Sequence, residues 1–451
     1  MNVHFIAIGG SAMHNLALAL CEKGYKVTGS DDEIFEPAKS RLDAKGLLPA
    51  NIGWFPEKLE CKPDAIILGM HARSDNPELI RAKELGLRIY SYPEYLFEQT
   101  RNKMRIVVGG SHGKTSVTAM IMHVMRFANL DFDYMVGAQL DGFDTMVRLS
   151  NTAEVAIFEG DEYLTSPIDL RPKFHLYHPH VGIITGIAWD HINVFPTYAN
   201  YVEQFEIFTR LFEKDGKLVY CAEDAEVVKV AEKAPSKLKK VGYKTHNHII
   251  KNNRTYLLTA FGEIEIQVFG RHNLMNISAA LEACRCAGIA DKTFYEAISQ
   301  FAGAARRLQP LAKTADAEVF YDFAHSPSKL KATVSAVKEQ FPDRKLVACM
   351  ELHTFSSLTK EFLLQYKGSM EKADEAYVFF NPHTIEHKKL EPITVDEVEK
   401  AFGKEGLKVY TDSVALFLLL KNKNYASSNL LLMSSGNFSG IDLKDFASKL
   451  L

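Results

Sequence analysis

The stretch Met104-Arg-Ile-Val-Val-Gly-Gly-Ser-His-Gly-Lys-Thr-Ser116 decides the fold class of this chain. An apolar run that predicts a buried strand leads into a glycine-rich loop, and apolar residues then recur at helical spacing. Such a loop places backbone N–H groups and a helix N-terminus around phosphate oxygens. Lys114 adds a positive charge, and the Thr115 hydroxyl suits a magnesium ion beside the phosphates. The stretch therefore predicts a site for a nucleoside triphosphate.

The loop is shorter than the general phosphate-binding pattern. That pattern would need glycine at position 108, where valine stands, and the loop instead runs from Gly110 to Thr115 with glycine again at Gly113. Gly-Lys-Thr occurs often by chance, but here it follows an apolar strand and precedes an amphipathic helix. This context favours a functional loop over an accidental match.

Composition is that of an ordinary soluble globular protein rather than of a membrane or nucleic-acid protein. A chain of 451 residues is longer than one hydrophobic core usually supports, so we expect three domains. Its net charge of −3 argues against general nucleic-acid binding, and its six scattered cysteines are typical of reduced thiols. The sequence has neither a membrane-length apolar run nor an N-terminal signal segment. We therefore expect a cytoplasmic location, with no nucleic-acid or membrane partner.

Three α/β units follow one another along the chain. Short apolar strands alternate with helices over residues 1–102, which predicts a parallel sheet. The second unit, 103–308, begins at the strand before the phosphate loop, and its later strands at 217–220 and 255–268 are expected to be antiparallel. The third unit, 309–451, carries predicted strands at 318–323, 345–350, 376–380, 408–410 and 430–433.

A second glycine turn lies between the first strand and the first helix. The backbone N–H groups of Gly10, Ser11, Ala12 and Met13, with the helix dipole, favour a diphosphate. The full dinucleotide spacing of glycines is missing, so the turn is weak support for a nicotinamide cofactor. Asp31, just beyond the second strand, is a candidate ligand for a ribose or a base, and capping of a turn is the alternative.

Acidic side chains follow a buried strand of the second unit. Glu159 stands nearest the strand end, and Asp161 and Glu162 come directly after it. Because magnesium prefers oxygen ligands, a carboxylate here reaches an ion held between Thr115 and nucleotide phosphates. Glu159 is therefore the candidate metal ligand, whereas surface acidity is the alternative reading of Asp161 and Glu162.

A histidine follows the next strand of this unit, in Trp189-Asp-His191. Parallel strands of one sheet end at the same edge, so His191 is expected near Glu159. It is a candidate to ligate a metal or to orient a substrate, and the alternative is a structural role.

Polar residues of the nucleotide-binding type continue toward the third unit. Asn273 and Asn276 lie one helical turn apart and are candidates to bind an adenine edge, with helix capping by Asn273 as the alternative. Arg307 offers a planar cation for a transferring phosphoryl group. Asp322 and His325 end a strand, and both suit a ribose or phosphates.

The order of these motifs resembles the muramyl (Mur) ligases of peptidoglycan metabolism, over essentially the whole chain. The motifs that carry the resemblance are Gly9-Gly10-x-x-Met13, Gly110-x-x-Gly113-Lys114-Thr115, Glu159-Gly-Asp-Glu162, Asp190-His191, Gly270-x-His-Asn-x-x-Asn276, Arg306-Arg307 and Asp322-Phe-Ala-His-x-Pro327.

This resemblance implies a three-domain α/β protein that uses ATP and Mg²⁺. A Rossmann-like N-terminal domain would bind a UDP-sugar, a P-loop ATPase-like central domain would bind ATP, and a Rossmann-like C-terminal domain would help to bind an amino acid or peptide. The implied catalytic residues are Lys114, His112, Glu159, His191 and Arg307, with Thr115, Glu159 and His191 on the metal. The implied ATP-binding residues are Gly110, Ser111, Gly113, Lys114, Thr115, Ser116, Asn273, Asn276, Arg307, Asp322 and His325, and those for the UDP-sugar are Gly10, Ser11, Ala12, Met13 and Asp31.

Within the family, Gly29-Ser-Asp31 and Ser74-Asp-Asn-Pro77 resemble the branch that accepts UDP-N-acetylmuramate itself. One activity in that branch attaches L-alanine, and another attaches L-alanyl-γ-D-glutamyl-meso-diaminopimelate recovered from old wall. Tyr163 after Asp-Glu, the Arg-x-Lys-Phe that ends at Phe174, and the glycine-rich Met433-Ser-Ser-Gly-Asn-Phe-Ser-Gly-Ile441 resemble the peptide-attaching activity. We therefore expect a tripeptide acceptor, with L-alanine as the alternative.

Two departures from the family pattern stand out. His14-Asn15 follow Met13 where relatives carry small residues, and residues 201–208 contain no lysine where several relatives carry a modified one. A second magnesium would therefore need other ligands.

Two other functions also fit parts of the sequence. A folylpolyglutamate-type ligase shares the ATP core, but it does not explain a separate N-terminal domain built around Gly9-Gly10. A non-catalytic nucleotide-sensing switch would not need the set formed by Asn273, Arg307, Asp322 and His325.

Overall fold

The computed structural model describes residues 1–189, 194–304 and 306–451. The chain forms two compact units, one of Met1–Thr245 with Met275–Ile298 and the other of His246–Leu274 with Ser299–Leu451. The division into domains at 1–102, 103–308 and 309–451 stays a prediction.

The first unit opens with a parallel sheet in the strand order β2-β1-β3-β4. Its inner strands are buried almost throughout, as expected when helices cover both faces of a parallel sheet. The elements are β1 (Asn2–Ile6), α1 (Ser11–Glu22), β2 (Lys26–Ser30), α2 (Ala38–Ala44), β3 (Ala65–Leu68), α3 (Pro77–Glu84), β4 (Ile89–Ser91) and α4 (Tyr92–Thr100).

A larger sheet of the same unit follows, in the order β13-β12-β11-β5-β8-β6-β7. All neighbouring strands in it are parallel except the β6–β7 pair. Its elements are β5 (Met104–Gly109), α5 (Lys114–Phe127), β6 (Phe132–Met135), β7 (Val147–Arg148), β8 (Val155–Glu159), β9 (Leu164–Ser166), β10 (Asp169–Pro172), β11 (Val181–Ile184), α6 (Tyr198–Arg210), β12 (Lys217–Cys221), α7 (Ala225–Lys233) and β13 (Lys239–Tyr243), where β9 and β10 form a separate hairpin.

A small antiparallel sheet comes next in the chain, in the order β14-β15-β16. It belongs to the second unit, and it is followed by a helix that contains the boundary between Leu274 and Met275. These elements are β14 (His248–Lys251), β15 (Arg254–Thr259), β16 (Gly262–Ile266), α8 (Arg271–Cys286) and α9 (Asp291–Ile298).

The second unit is completed by a mixed sheet in the order β17-β18-β22-β19-β20-β21, with apolar clusters on its two faces. Only its edge strand β17 runs antiparallel to its neighbour among the described pairs. The elements are β17 (Gln309–Lys313), β18 (Glu318–Asp322), α10 (Pro327–Gln340), β19 (Lys345–Leu352), α11 (Lys360–Leu363), β20 (Glu375–Phe380), α12 (Pro382–His387), α13 (Val395–Phe402), β21 (Lys408–Tyr410), α14 (Ser413–Lys421), β22 (Ser428–Met433) and α15 (Leu443–Ser448).

One strand prediction was wrong. The strand at 217–220 was expected to be antiparallel, but β12 pairs in parallel with both β11 and β13. The helix α6 before it and the helix α7 after it return the chain across the sheet, which is the arrangement that produces parallel neighbours. The antiparallel expectation for 255–268 is confirmed by the β15–β16 pair.

A fully buried arginine anchors the strand that leads to the phosphate loop. Arg105 on β5 is 0% exposed, and its guanidinium lies 2.6 Å from the Glu213 carboxylate and 4.9 Å from the centre of the Phe97 ring. It also donates to the main-chain oxygens of Tyr177, His178, Thr100, Arg101 and Lys103. One buried side chain therefore supplies hydrogen-bond donors to several main-chain carbonyl groups.

We predict that Arg105→Met lowers the free energy of unfolding of the first unit by about 3 kcal/mol, because it leaves buried carbonyl groups without a donor. The exposed Arg210, whose ion pair with Glu206 measures 4.0 Å, provides the control. Arg210→Met should change stability by less than about 0.5 kcal/mol. Urea denaturation of the two variants checks the prediction, and similar midpoints would contradict it.

Candidate nucleotide site

The phosphate loop joins β5 to α5 through four residues, Gly110-Ser111-His112-Gly113. Gly110 and Gly113 have φ values of +125° and +80°, which favour glycine. A Cβ atom on Gly113 would lie 2.5 Å from the side-chain oxygen of Asn276. The loop leads into the N-terminus of a fourteen-residue helix, whose N–H groups and dipole favour phosphate oxygens.

Lys114 forms a buried ion pair at this loop. Its ammonium lies 2.5 Å from a Glu162 oxygen and 2.7 Å from the carbonyl oxygen of Gly110. Burial works to lower the pKa of Lys114, but the carboxylates of Glu162, Asp161 and Glu159 together outweigh it, and the net shift is upward. The lysine therefore carries its positive charge directly at the glycine turn.

The interpretation of Glu162 as surface acidity was wrong. Glu162 is 0% exposed, and besides its pair with Lys114 it accepts a hydrogen bond from the Gly110 N–H at 3.2 Å. Asp161 instead is partly exposed and pairs with Lys173 at 2.7 Å. The sequence did indicate a carboxylate partner for Lys114, because a lysine in a buried loop needs a nearby counter-charge. It did not indicate which of the adjacent Asp161 and Glu162 is that partner.

Glu159 and Thr115 come together as the sequence predicted. The Thr115 hydroxyl donates to one Glu159 oxygen at 2.9 Å, and the N–H of Gly137 donates to the other at 2.8 Å. Glu159 is only 8% exposed. This places a hydroxyl and a carboxylate, two hard oxygen ligands, beside the phosphate loop.

These ligands fit a magnesium ion that is shared with a nucleotide. Within the described ranges, no group of three or more His, Cys, Asp or Glu side chains is arranged to hold a metal by itself. Magnesium commonly takes one or two protein oxygens and completes its shell with phosphates and water. Asp190 and the predicted metal ligand His191 lie outside the described residues.

Ser111 fastens the loop to the segment after β11. Its hydroxyl donates to the Gly186 carbonyl at 3.2 Å and accepts from the Ala188 N–H at 2.8 Å. The neighbouring His112 accepts, through its carbonyl oxygen, a hydrogen bond from the Thr185 hydroxyl. Ser116, one turn into α5, is buried at 6% exposure. The loop is therefore held in shape by bonds from Ser111 and His112 to the segment after β11.

The predicted asparagines of α8 have different surroundings. Asn276 touches the phosphate loop at Gly113, as described above, whereas Asn273 donates to the carbonyl oxygen of Phe269 at 2.9 Å and is 4% exposed. The Asn273 amide therefore stabilises the turn that precedes α8. The adenine-binding role of both residues stays a prediction.

In the second unit, three predicted residues gather at the end of β18. Asp322 accepts hydrogen bonds at 2.7 Å from the N–H groups of Leu308 and Ala324. Arg307 lies over the Phe323 ring at 5.3 Å, and the His325 ring contacts the Phe323 carbonyl at 3.0 Å. Asp322 thus fixes the turn that presents the Arg307 cation.

The N-terminal glycine turn is organised by Asp31. Its carboxylate accepts a hydrogen bond from the Gly9 N–H at 2.6 Å, and it is 5% exposed. Burial raises the pKa of Asp31 to about 6, with a further upward contribution from Asp32. The contact supports the turn-capping interpretation, and binding of a ribose or base by Asp31 stays a prediction. Gly10 and Ser11 to Met13 lie at the start of α1, as expected.

Comparison with known proteins agrees with this arrangement. Residues 108–284 match the Mur ligase middle domain, and residues 2–103 match the Mur ligase family catalytic domain. The chain belongs to the Mur ligase family. A UDP-N-acetylmuramate–L-alanine ligase of Clostridium perfringens is 30% identical over 449 residues, which cover 95% of this Mur ligase and 94% of that protein.

Solved structures show the same fold. A UDP-N-acetylmuramate–alanine ligase from Thermotoga maritima superposes with a TM-score of 0.71 at 23% identity, covering 97% of this chain and 96% of that one. A murein peptide ligase from Psychrobacter arcticus gives a TM-score of 0.63 at 23% identity, covering 100% and 98%. The three-domain α/β Mur ligase architecture expected from the sequence is thereby confirmed.

Membership of the family settles the general class of reaction. Mur ligases are ATP-dependent enzymes that form amide bonds in peptidoglycan synthesis, and this chain is such a ligase. No helix in the described part of the chain is long and apolar enough to cross a membrane.

We predict that Glu162→Gln lowers the free energy of unfolding by about 3 kcal/mol in the absence of nucleotide, because the Lys114 ammonium is left buried without its counter-charge. Asp161→Asn is the matched control, since its pair with Lys173 is partly exposed and contributes about 1 kcal/mol or less. The melting temperatures of both variants, measured by calorimetry, check this prediction. Equal decreases in the two variants would contradict it.

Proposed function

We propose that this Mur ligase joins the lactyl carboxylate of UDP-N-acetylmuramate to the α-amine of L-alanyl-γ-D-glutamyl-meso-diaminopimelate, in the recycling of peptidoglycan. The observation that carries the choice of acceptor is the hairpin that follows Glu162, because it contains the pattern that resembles the peptide-attaching activity. The nucleotide site itself supports the coupling to ATP.

The hairpin places the pattern residues next to the nucleotide loop. Lys173 closes it through three contacts: an ion pair with Asp161 at 2.7 Å, a main-chain bond to the Tyr163 carbonyl at 3.0 Å, and a position 5.7 Å from the centre of the Tyr163 ring. Tyr163 directly follows the buried Glu162 that pairs with Lys114. The pattern that resembles the peptide-attaching activity therefore begins next in sequence to the carboxylate that pairs with the lysine of the phosphate loop.

The glycine-rich turn after β22 supports the same acceptor. Glu351, at 2% exposure, accepts hydrogen bonds from the Ser434 hydroxyl and from the N–H of Phe438 at 2.8 Å. A Cβ atom on Gly436 would lie 2.7 Å from the His353 ring. The turn is therefore tightly shaped, and its sequence is the one that resembles the peptide-attaching activity.

L-Alanine is the second candidate acceptor. The specific observation in its favour is that relatives with 30% identity, such as those of Clostridium kluyveri and Clostridium perfringens, are UDP-N-acetylmuramate–L-alanine ligases. The two candidates share the ATP chemistry and differ only in the amine that attacks.

In the proposed reaction the lactyl carboxylate attacks the γ-phosphate of ATP and displaces ADP, which gives an acyl phosphate. The amine then attacks the acyl carbon, and phosphate leaves as the amide forms. Lys114 and Arg307 neutralise the moving negative charge, and His112 contacts the acyl phosphate. Thr115, Glu159 and, by the family resemblance, His191 would hold a magnesium ion, which would supply further charge stabilisation.

The remaining residues bind the substrates in this proposal. The adenine lies against Asn273 and Asn276, the ribose or phosphates against Asp322 and His325, and the diphosphate of the UDP-sugar against the turn at Gly10. These roles, a cytoplasmic location, and the absence of nucleic-acid partners stay predictions.

We predict that Lys114→Ala abolishes amide formation, lowering the rate by about a thousandfold or more, because the charge at the phosphates is lost. Lys103→Ala is the control, since Lys103 also forms a lysine–carboxylate pair in this unit, with Asp133 at 2.5 Å, but away from the loop. The coupled release of phosphate measures both variants, and full activity of Lys114→Ala would refute the assignment.

A substrate panel identifies the acceptor. With ATP, Mg²⁺ and UDP-N-acetylmuramate held constant, we expect kcat/KM for the tripeptide to exceed that for L-alanine by at least about a hundredfold. Product mass is the measurement. Equal or better turnover of L-alanine would assign the biosynthetic activity instead, and no product with either amine would reject UDP-N-acetylmuramate as the substrate.

A further inference from the structure

Two polar residues of α1, His14 and Asn15, are buried beside the N-terminal glycine turn. Asn15 is 0% exposed and His14 is 3% exposed. The His14 ring contacts the Gly10 carbonyl through Nδ1 at 2.9 Å, and the Asn15 amide nitrogen donates to the Ser11 carbonyl at 2.8 Å. Both side chains therefore bond back to the glycine turn from which their own helix starts.

The hydrogen bonds fix the orientation of both groups. A carbonyl oxygen only accepts, so His14 Nδ1 carries a proton, and the second ring nitrogen accepts from the Asn15 Nδ2 at 3.0 Å. Burial lowers the pKa of His14, against the opposing effect of the hydrogen bond to Gly10. The Asn15 oxygen consequently points the other way, toward the larger sheet.

That oxygen bonds to the loop between β6 and β7. It accepts from the N–H of Met146 at 3.0 Å and contacts the Arg41 guanidinium at 3.5 Å. Arg41 also donates to the Gln139 side chain at 3.0 Å. Residues of α1 and α2 thus contact the 137–146 loop at Gln139 and at Met146.

The loop continues directly to the proposed metal ligand. The N–H of Val136 donates to the Met146 carbonyl at 3.0 Å, and the next N–H, of Gly137, donates to Glu159 at 2.8 Å. Gly137 leaves no room for a side chain, because a Cβ atom there would lie 2.9 Å from the same carboxylate. The position of the Glu159 carboxylate therefore depends on where this loop lies.

We propose that Asn15 is a positioning residue that links the glycine turn at Gly10 to the Glu159 carboxylate, so that binding of the UDP-sugar adjusts the site for the nucleotide and its cation. The inference rests on the proposed function for the identity of the two ligands. Asn15 is suited to the task because its two amide ends serve the two sides at once. A carboxylate would lose the donors to the Ser11 carbonyl and His14, and an apolar side chain would lose every bond.

The test measures how one ligand changes the binding of the other, rather than a reaction rate. Calorimetric titration gives the dissociation constant of MgADP in the absence and in the presence of saturating UDP-N-acetylmuramate, for the full chain. We expect the sugar nucleotide to change that constant by about fivefold or more in the unaltered protein, and to leave it almost unchanged in Asn15→Leu. Gln340→Leu is the control, since Gln340 also forms two side-chain bonds, to Thr255 and to the Asn253 carbonyl, in the other unit. It should retain the full linkage.

The outcomes separate the inference from the proposed function. Both ligands binding independently in the unaltered protein, or full linkage in Asn15→Leu, would overturn the inference alone. Failure of UDP-N-acetylmuramate to bind at all would overturn the proposed function and the inference that rests on it. If Asn15→Leu does not fold, Arg41→Ala takes its place, because it removes only the bonds to Asn15 and Gln139 at the edge of the contact, and it should weaken the linkage by at least about half. Unchanged linkage in Arg41→Ala would then overturn the inference.

Discussion

The buried charge of Lys114 is the constraint on which the site depends. An ammonium group inside a protein needs a counter-charge, and here Glu162 supplies it at 2.5 Å while also accepting from the Gly110 N–H. The same pair therefore fixes the glycine turn at Gly110 and keeps a positive charge beside it. Phosphate oxygens that enter the turn meet a positive charge that is already in place.

The sheet around β5 brings the other groups to that charge. Because β8 and β11 run parallel to β5 on its two sides, Glu159 and the Thr185–Ala188 segment emerge at the same edge as the phosphate loop. Glu159 binds Thr115, and Ser111 fastens the loop to the segment after β11. The buried Arg105 holds β5 itself from below. Parallel strands of one sheet thus bring distant stretches of sequence together, so that their oxygen ligands cluster around a glycine turn.

Local patterns in the sequence predicted the parts that local physics controls. The strand, turn and helix around Gly113 follow from residue type and spacing, and Glu159 follows from its place at a strand end. The partner of Lys114 could not be chosen, because Asp161 and Glu162 are adjacent and only the hairpin closed by Lys173 turns Glu162 inward. The direction of β12 was predicted wrongly for a similar reason, since it depends on the path that the neighbouring helices give the chain. The bonds from Asn15 to Met146 join segments 131 residues apart, and spacing carries no signal for them.

The central claim is that phosphate oxygens of ATP and a divalent cation meet between Lys114, Thr115 and Glu159. A crystal structure with a non-hydrolysable ATP analogue and Mn²⁺, in which anomalous scattering locates the metal, tests it directly. We expect the phosphates in the turn at Gly113, and Mn²⁺ in contact with the Thr115 hydroxyl or Glu159 at about 2.1 Å. A nucleotide bound elsewhere, with Lys114 still paired only to Glu162 and no metal beside Glu159, would contradict the account.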